Sequence, residues 1–344
     1  MTDAARGGGG VRVGVAGATG AVGLEMLRVL EDRSLPVSEI RAMASERGEG
    51  RAVSFAGRDV PVVTLSQESL AGLDIVLFAT SAAVSREFVP VAASAGAVAI
   101  DNSREFRMDE DVPLIVPEVN PDALSSHGGV IANPNCSTIQ IVLPLEALRR
   151  AAGLVRVVAA TYQSVSGTGL AAIDELTVQS RAVLAGEPVV SEVYPTQIAF
   201  NCIPHIDDFE EDGSTREERK MVDETRKILA MPDLGVSVTC VRVPVFRSHA
   251  VALNVETERR IEPDDAREII GAFPGVRVLD DPESAGYPTQ INAEGGDDVW
   301  VGRIRTDSSV ANALSMWVVA DNLRKGAALN AVQIAELLLN GLSG

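Results

Sequence analysis

The feature that most constrains the fold is a glycine-rich turn directly after the first apolar segment. Residues 11–17 (VRVGVAG) have the valine content of a buried strand, and residues 18–33 carry leucines on one helical face. Glycines 17, 20 and 23 lie where the two segments meet, and the backbone N–H groups and helix dipole of such a turn suit a pyrophosphate. The position between strand and helix carries this interpretation, since a short glycine pattern alone is weak, and a purely structural turn is the alternative. The turn residues expected to contact a dinucleotide are Gly17, Thr19, Gly20, Ala21 and Val22.

Strands and helices continue to alternate towards residue 134. Segments with this character are 39–45, 74–80, 85–96 and 97–103. The order predicts a doubly wound parallel sheet, so the fold class is α/β with an N-terminal Rossmann-like domain. We expect residues 1–134 to form this nucleotide-binding domain, completed by a C-terminal helix at residues 323–344.

A different pattern begins near residue 135. A helical segment at residues 137–153 is followed by long strand-like segments at 155–166, 237–246 and 250–258. This pattern predicts an α+β domain with a mostly antiparallel sheet over residues 135–322. Two domains also suit a chain of 344 residues, which is long for a single core.

Composition restricts the classes of partner. The formal net charge of −18 repels polyphosphate backbones, so no nucleic acid is expected. The N-terminal segment lacks the basic and apolar parts of an export signal, and no apolar run approaches about 20 residues, so we expect a cytoplasmic protein without a membrane partner. The cysteines at 136, 202 and 240 lack the spacing of a zinc site, so no metal is expected.

The segment Ser45-Glu46-Arg47 follows the second predicted strand, where an adenosine ribose would lie. Ser45 and Arg47 suit the extra phosphate of NADP. Glu46 leaves NAD open, and a solvated turn is the alternative without a ligand.

Cys136 stands immediately before an apolar helical segment. A helix N-terminus favours thiolate over thiol, which lowers the thiol pKa and raises the fraction of nucleophile. A thiolate also leaves well, so it suits acyl transfer. A buried structural cysteine is the alternative.

Three long strings carry a resemblance to a known family. They are GATGAVG (17–23), NPNCST (133–138) and TYQSVSGTG (161–169). Together with DNSREFRMD, CVRVPVFRSHA and DNLRKGAALNAVQIAELL, they make the chain similar to the aspartate-semialdehyde dehydrogenase family over nearly its whole length.

The resemblance implies a reaction. Cys136 would attack the semialdehyde carbonyl, hydride would pass to NADP, and phosphate would cleave the resulting thioester to aspartyl phosphate. Biosynthesis of lysine, threonine and methionine runs this reaction backwards. The second domain would hold the catalytic groups and the dimerisation surface, and the protein would be a homodimer or homotetramer.

The resemblance also assigns roles in the second domain. Gln163 would orient the acyl intermediate, although a polar residue at a strand end is its alternative. Ser166 and Gly167 would lie beside the nicotinamide, and Asn322 would contact the cofactor. His249 would be the acid–base group, because imidazole titrates near neutrality, and a structural histidine is the alternative.

The remaining assignments concern the anionic substrate. Arg242 suits a bidentate grip on the carboxylate, but seven positions separate it from His249, so a bend must follow Pro244 if both serve one site. Arg107 and Asn135 would bind substrate or phosphate. Glu217 and Lys220 share one helical face and would meet the ammonium and the phosphate. A surface ion pair for Arg242, and a merely solvated helix for Glu217 and Lys220, are the alternatives.

Some positions depart from the usual family pattern. Residues 79–83 (ATSAA) replace a glycine-richer run, Ala250 stands where a serine is frequent, and Gln290 replaces a proline. Two rival functions stay open: an N-acetyl-glutamyl-phosphate reductase-like enzyme, which needs no ammonium-binding carboxylate, and a catalytically silent NADP-binding paralogue.

Overall fold

The structure, a computed structural model, describes residues 10–341. The chain divides into two compact units, Met1–Asn135 with Ala327–Gly344 and Cys136–Gly326. The predicted domain 1–134 therefore begins, and the predicted helix 323–344 ends, in residues that lie outside the described range.

The strands and helices of the first unit before residue 136 are β1 (Val11–Ala16), α1 (Ala21–Asp32), β2 (Val37–Ala44), β3 (Ala52–Phe55), β4 (Arg58–Thr64), α2 (Gln67–Leu70), β5 (Ile75–Phe78), α3 (Ala82–Ser94), β6 (Val98–Asp101) and β7 (Val130–Ala132). The second unit contains α4 (Cys136–Ala152), β8 (Arg156–Gln163), α5 (Leu170–Ala185), α6 (Arg216–Ile228), β9 (Gly235–Arg242), β10 (His249–Glu256), α7 (Pro263–Gly271), β11 (Val276–Val278), α8 (Gln290–Ala293), β12 (Val299–Thr306) and β13 (Ala313–Ala320). Helix α9 (Leu329–Gly341) returns to the first unit.

The first unit is built on a sheet with the strand order β3-β4-β2-β1-β5-β6-β7. Its neighbouring strands are parallel from β4 to β7, whereas β3 and β4 form an antiparallel hairpin. Alternate side chains cover opposite faces: Val13 and Val15 of β1 pack in a core with α1 and α9, whereas Ala16 packs in a core with α3. The doubly wound expectation is thereby confirmed.

The second unit is built on a sheet with the order β11-β12-β13-β10-β8-β9. Strands β10, β13 and β12 pair antiparallel, as do β8 and β10, while β8 and β9 pair in parallel, as do β11 and β12. A mostly antiparallel sheet was predicted and is found. Helix α4 packs in this unit against α6, α7 and strands β10 and β13.

Two elements differ from the sequence expectations. The β3–β4 hairpin was not predicted, because its two-residue turn uses Ala56 and Gly57, both with positive φ, and alanine gives no turn signal. The C-terminal helix begins at Leu329, not at 323, because Arg324–Ala328 form a π-helical turn.

Candidate active site

Three strand ends bring predicted site residues to one edge of the second sheet. Gln163 ends β8 and Arg242 ends β9, and the two residues are register partners in the parallel pair. His249 begins β10, which runs antiparallel to β8 with Ala250 opposite Tyr162. Residues 243–248 make the bend that the seven-position interval required, and Ser248 takes a φ of 70° within it.

His249 is fully buried at this edge, and its two ring nitrogens differ. Nδ1 accepts a hydrogen bond of 3.0 Å from the backbone N–H of Ser164. Within residues 10–341, Nε2 has no hydrogen-bond partner. Burial, helped by the nearby positive charge of Arg242, lowers the pKa of His249 to about 3, so the ring is neutral at physiological pH.

Arg242 lies beside the same pair of residues. Its Nη1 donates to the carbonyl oxygen of Ser164 at 2.6 Å, and its guanidinium lies 6.0 Å from the ring centroid of Tyr194. Among the described residues, its buried Nε has no acceptor. Arg242 is therefore a buried cation with hydrogen-bonding capacity left, which does not suit the alternative of a surface ion pair.

Gly167 keeps the space beside these groups open. A Cβ at residue 167 would lie 3.3 Å from His249 Nε2 and 3.3 Å from Arg242 Nη1. Both distances are tighter than ordinary van der Waals contact. A glycine therefore leaves room next to a ring nitrogen and a guanidinium.

A hydroxyl and amide network lies behind His249. Asn322 Oδ1 accepts from the backbone N–H of Ser248 at 2.9 Å and from the hydroxyls of Ser166 and Ser164 at 3.0 and 3.2 Å. The Ser164 hydroxyl also lies 3.0 Å from Nδ1 of His249. Sequence reasoning did not assign Ser164 or Ser248.

Gln163 is joined to a charged cluster on α6. Its Nε2 donates to Glu217 at 3.0 Å, and its Oε1 accepts from the Thr161 hydroxyl at 3.0 Å. Lys220 Nζ lies 3.0 Å from Glu217 and 2.7 Å from Asp207. Burial opposes the charge on Lys220, but the two carboxylates outweigh it and raise the lysine pKa.

Helix α6 presents this cluster inward. Thr215 and Glu218 form a capping box that starts the helix, and Glu217 is 6% exposed. The prediction that Glu217 and Lys220 face one way is therefore correct, and the alternative of a merely solvated helix does not fit a buried Glu217. Asp207, which sequence reasoning missed, comes from a loop and gives no periodic signal.

Cys136 is the first residue of α4, as its position before an apolar segment predicted. The residue is partly exposed. A Cβ at Gly326 would lie 3.0 Å from the Cβ of Cys136, so the segment after Asn322 passes close to the start of α4.

In the first unit, Arg107 is linked to the loop that precedes Cys136. Arg107 Nη2 donates to the carbonyl oxygen of Asn102 at 2.8 Å. The side chain of Asn102 accepts from Asn133 at 2.6 Å, and Asn133 in turn accepts from Asn330 at 2.7 Å. Arg107 and Asn135 are both buried, at 7% and 6% exposure. Sequence reasoning did not single out Asn133 or Asn330.

The glycine turn has the geometry that an anion site needs. Gly17 has a φ of 83°, and a Cβ at Gly23 would lie 2.2 Å from the Gly17 carbonyl oxygen, so both positions require glycine. Within the described range, the backbone N–H groups of Thr19, Ala21 and Val22 donate to no backbone acceptor. These are three of the predicted contact residues, and their donors lie at the start of α1.

Ser45 and Arg47 follow β2 in a short 3-10 turn, and their side chains are exposed. Strands β1 and β2 are parallel partners, so this turn and the glycine turn leave the same edge of the sheet. A Cβ at Gly48 would lie 3.8 Å from the Thr19 side chain, which places the two turns side by side.

The structure places three of the positions that depart from the family pattern. Gln290 Nε2 donates to the carbonyl oxygens of Tyr162 and Ser248, both at 3.0 Å, and so ties together neighbours of Gln163 and His249. Ala250 is buried between β8 and β13. Ala82 is the first residue of α3.

Comparison with known proteins supports one family. The Semialdehyde dehydrogenase NAD binding domain model matches residues 12–127, and the Semialdehyde dehydrogenase dimerisation domain model matches residues 145–325. The aspartate-semialdehyde dehydrogenase of Aquifex aeolicus (strain VF5) is 52% identical over 334 residues, covering 96% of this chain and 98% of that protein. The chain belongs to the aspartate-semialdehyde dehydrogenase family.

Two further comparisons agree with the aspartate-semialdehyde dehydrogenase assignment. The enzyme of Legionella pneumophila is 49% identical over 331 residues, covering 95% of each chain. A crystal structure of aspartate semialdehyde dehydrogenase II from Vibrio cholerae, complexed with ASA, has a TM-score of 0.93 and 46% identity, covering 96% of this chain and 98% of that one. The resemblance inferred from the sequence strings is thereby confirmed.

Membrane-spanning helices and clusters of metal ligands are both absent from the described part of the chain. No helix within residues 10–341 is both long and apolar enough to cross a membrane. Over the same range, no group of three or more His, Cys, Asp or Glu side chains could hold a metal ion.

Proposed function

We propose that the protein catalyses the reversible NADP-dependent reductive dephosphorylation of L-aspartyl-4-phosphate to L-aspartate-4-semialdehyde. The convergence of Gln163, Arg242 and His249 at one sheet edge carries this proposal, since Gln163 is also bonded to a buried carboxylate at Glu217. These groups match a substrate that has a carbonyl, a carboxylate and an ammonium group. The family membership supports the same reaction.

Cys136 is the proposed nucleophile. Its place at the first turn of a 17-residue helix favours the thiolate form. The thiolate adds to the carbonyl carbon of the acyl phosphate, phosphate leaves, and a thioester remains on Cys136. Gln163 holds the acyl group, and His249 acts on the carbonyl oxygen.

The substrate charges are matched by separate groups. Arg242 binds the carboxylate through its guanidinium, whose Nε is an unused donor among the described residues, and Glu217 binds the ammonium. Lys220, Arg107 and Asn135 are proposed to bind the phosphate. Lys220 has two carboxylate partners in this structure, so it serves as a phosphate ligand only by leaving or sharing one of them.

The cofactor assigned to the first unit is NADP. The donors of Thr19, Ala21 and Val22, in a turn shaped by Gly17 and Gly20, suit the pyrophosphate. Ser45 and Arg47 suit the additional ribose phosphate. In the second unit, Ser166, Gly167 and Asn322 are the proposed contacts of the nicotinamide. NADPH supplies the hydride that reduces the thioester.

The assembly and location follow from the same assignment. We propose a cytoplasmic homodimer or homotetramer in which residues 135–322 carry the catalytic and dimerisation functions. Residues 1–134 with 323–344 carry the cofactor. The match of residues 145–325 to a dimerisation domain supports self-association.

A steady-state assay tests the activity. Protein, aspartate semialdehyde, phosphate and NADP should give reduced nicotinamide, and omission of phosphate should stop turnover after the first cycle. The rival substrate N-acetyl-glutamate semialdehyde should be turned over at least about a hundredfold less efficiently, because it has no ammonium for Glu217. Equal catalytic efficiency with both substrates would contradict the assignment of aspartate semialdehyde as the preferred substrate.

A further inference from the structure

The hydrogen bond at Nδ1 of His249 fixes where the ring carries its proton. The donor is the backbone N–H of Ser164, 3.0 Å from Nδ1. A backbone N–H cannot accept a hydrogen bond, so Nδ1 must present its lone pair. The neutral imidazole then has its proton on Nε2.

The peptide that provides this donor is held in place. The carbonyl oxygen of Gln163, on the same peptide as the Ser164 N–H, accepts from the Val243 N–H at 3.0 Å. The carbonyl oxygen of Ser164 accepts from Arg242 at 2.6 Å. Rotation of the 163–164 peptide would break the first bond, so the N–H stays directed at the ring.

The Ser164 hydroxyl does not contradict this assignment. Its oxygen lies 3.0 Å from Nδ1, but a hydroxyl proton rotates and donates where an acceptor is present. Asn322 Oδ1 keeps the Ser248 N–H and the Ser166 hydroxyl as donors when Ser164 turns to the ring. Protonation of Nδ1 would instead direct two N–H groups at each other.

A second proton on the ring is also disfavoured. His249 is fully buried, and the guanidinium of Arg242 lies on its Nε2 side, where both approach the space above Gly167. Glu217 is the charged group that opposes this effect, and burial with Arg242 outweighs it. His249 therefore stays neutral.

We propose that Ser164 is a positioning residue that holds His249 as the neutral Nε2–H tautomer, so that His249 acts as a hydrogen-bond donor to the substrate carbonyl oxygen. This inference rests on the proposed function. It differs from the acid–base role expected from the sequence, because a neutral imidazole that donates from Nε2 keeps its proton throughout the hydride step.

Addition of the Cys136 thiolate and the following hydride transfer require no proton transfer at His249. In the oxidation direction, the electron pair of the Cys136 thiolate forms the S–C bond, and the π pair of the carbonyl moves to oxygen. Nε2–H donates a hydrogen bond to that negative oxygen. The pair on oxygen then re-forms the C=O bond while the C–H pair leaves as hydride to NADP. Cys136 must therefore enter as a thiolate, which the N-terminus of α4 favours without a base.

The open space at Nε2 agrees with a ligand oxygen at this position. Nε2 is buried and has no acceptor within residues 10–341, and the residue facing it is Gly167. A buried donor without an acceptor is costly, so its retention points to a ligand that accepts.

Nitrogen-15 NMR of histidine-labelled protein tests the tautomer without turnover. The signals of His249 are distinguished from those of the other two histidines by comparison with a His249→Gln variant. We expect, from pH 8 down to pH 5, a pyridine-like Nδ1 and a pyrrole-like Nε2 for His249. A pyrrole-like Nδ1, or an imidazolium at neutral pH, would overturn the proposal. The NMR result does not depend on the assay of aspartate semialdehyde oxidation. The tautomer of His249 can therefore be rejected without rejecting the proposed activity, and the activity can be rejected without rejecting the tautomer.

A matched pair of changes at residue 164 tests the role of Ser164. Ser164→Ala keeps the backbone N–H, whereas the α-hydroxy analogue of serine replaces only that N–H by an ester oxygen. We expect Ser164→Ala to keep the Nε2–H tautomer and the ester to lose it, with kcat at least about tenfold lower for the ester. Loss of the tautomer in Ser164→Ala, or its retention in a folded ester variant, would contradict the assignment.

Discussion

At Gly167, the addition of a single methyl group would block the space beside His249 and Arg242. We predict that Gly167→Ala folds, because its φ does not require glycine, but loses about tenfold to hundredfold in kcat/KM. The added Cβ would press on His249 Nε2 and Arg242 Nη1, each 3.3 Å away. Gly128→Ala is the control, since a Cβ there meets nothing within 4 Å. Unchanged kcat/KM in Gly167→Ala would show that ligands bind elsewhere.

Arg47 is the residue assigned to the ribose phosphate of NADP. We predict that Arg47→Ala lowers the ratio of NADP to NAD affinity by about tenfold or more, because a charge-assisted contact is lost for one cofactor only. Cofactor titration of both nucleotides measures this ratio. Arg58→Ala, an exposed change on the β3–β4 hairpin, serves as the control. The assignment is refuted by an unchanged ratio.

At the scale of elements, two adjacent glutamates of α6 have different roles, one in substrate binding and the other in the stability of the fold. Glu217 contacts Gln163 and Lys220, whereas Glu218 caps the helix and accepts from the Cys240 N–H. We predict that Glu217→Gln raises KM for aspartate semialdehyde about tenfold, and that Glu218→Gln instead lowers the free energy of unfolding by about 1 kcal/mol. Kinetics and urea unfolding of both variants distinguish the roles. A KM effect of equal size in both would contradict the ammonium site.

The elements also show what the sequence could predict. The apolar runs of β1 and α4 could be located from the sequence because nearly every position in them is buried, and the position of Cys136 followed from α4. The contact between Ser164 and His249 could not be predicted, because it depends on a backbone N–H and on residues 85 positions apart. Asp207 was missed for a related reason, since its loop is placed by tertiary packing and not by local pattern.

At the scale of the whole molecule, His249 links stability to pH. The folded ring takes a proton only near pH 3, whereas the unfolded ring takes one at its ordinary value of 6.5. The unfolded state binds more protons between these values, so stability falls as pH drops below 6.5. We predict that His249 contributes about 2 kcal/mol of destabilisation between pH 7 and pH 5. Urea unfolding should show a weaker pH dependence in His249→Gln, and an equal dependence in both proteins would be inconsistent with a buried neutral ring.

The central claim is a covalent acyl group on Cys136, and mass analysis after a phosphate-free reaction tests it most directly. Aspartate semialdehyde and NADP should give one reduced nicotinamide per active subunit and an aspartyl adduct on the peptide that contains Cys136. Phosphate should then remove the adduct, and the exposed Cys202 should stay unmodified. An adduct on another residue, or full turnover by Cys136→Ala, would contradict the account.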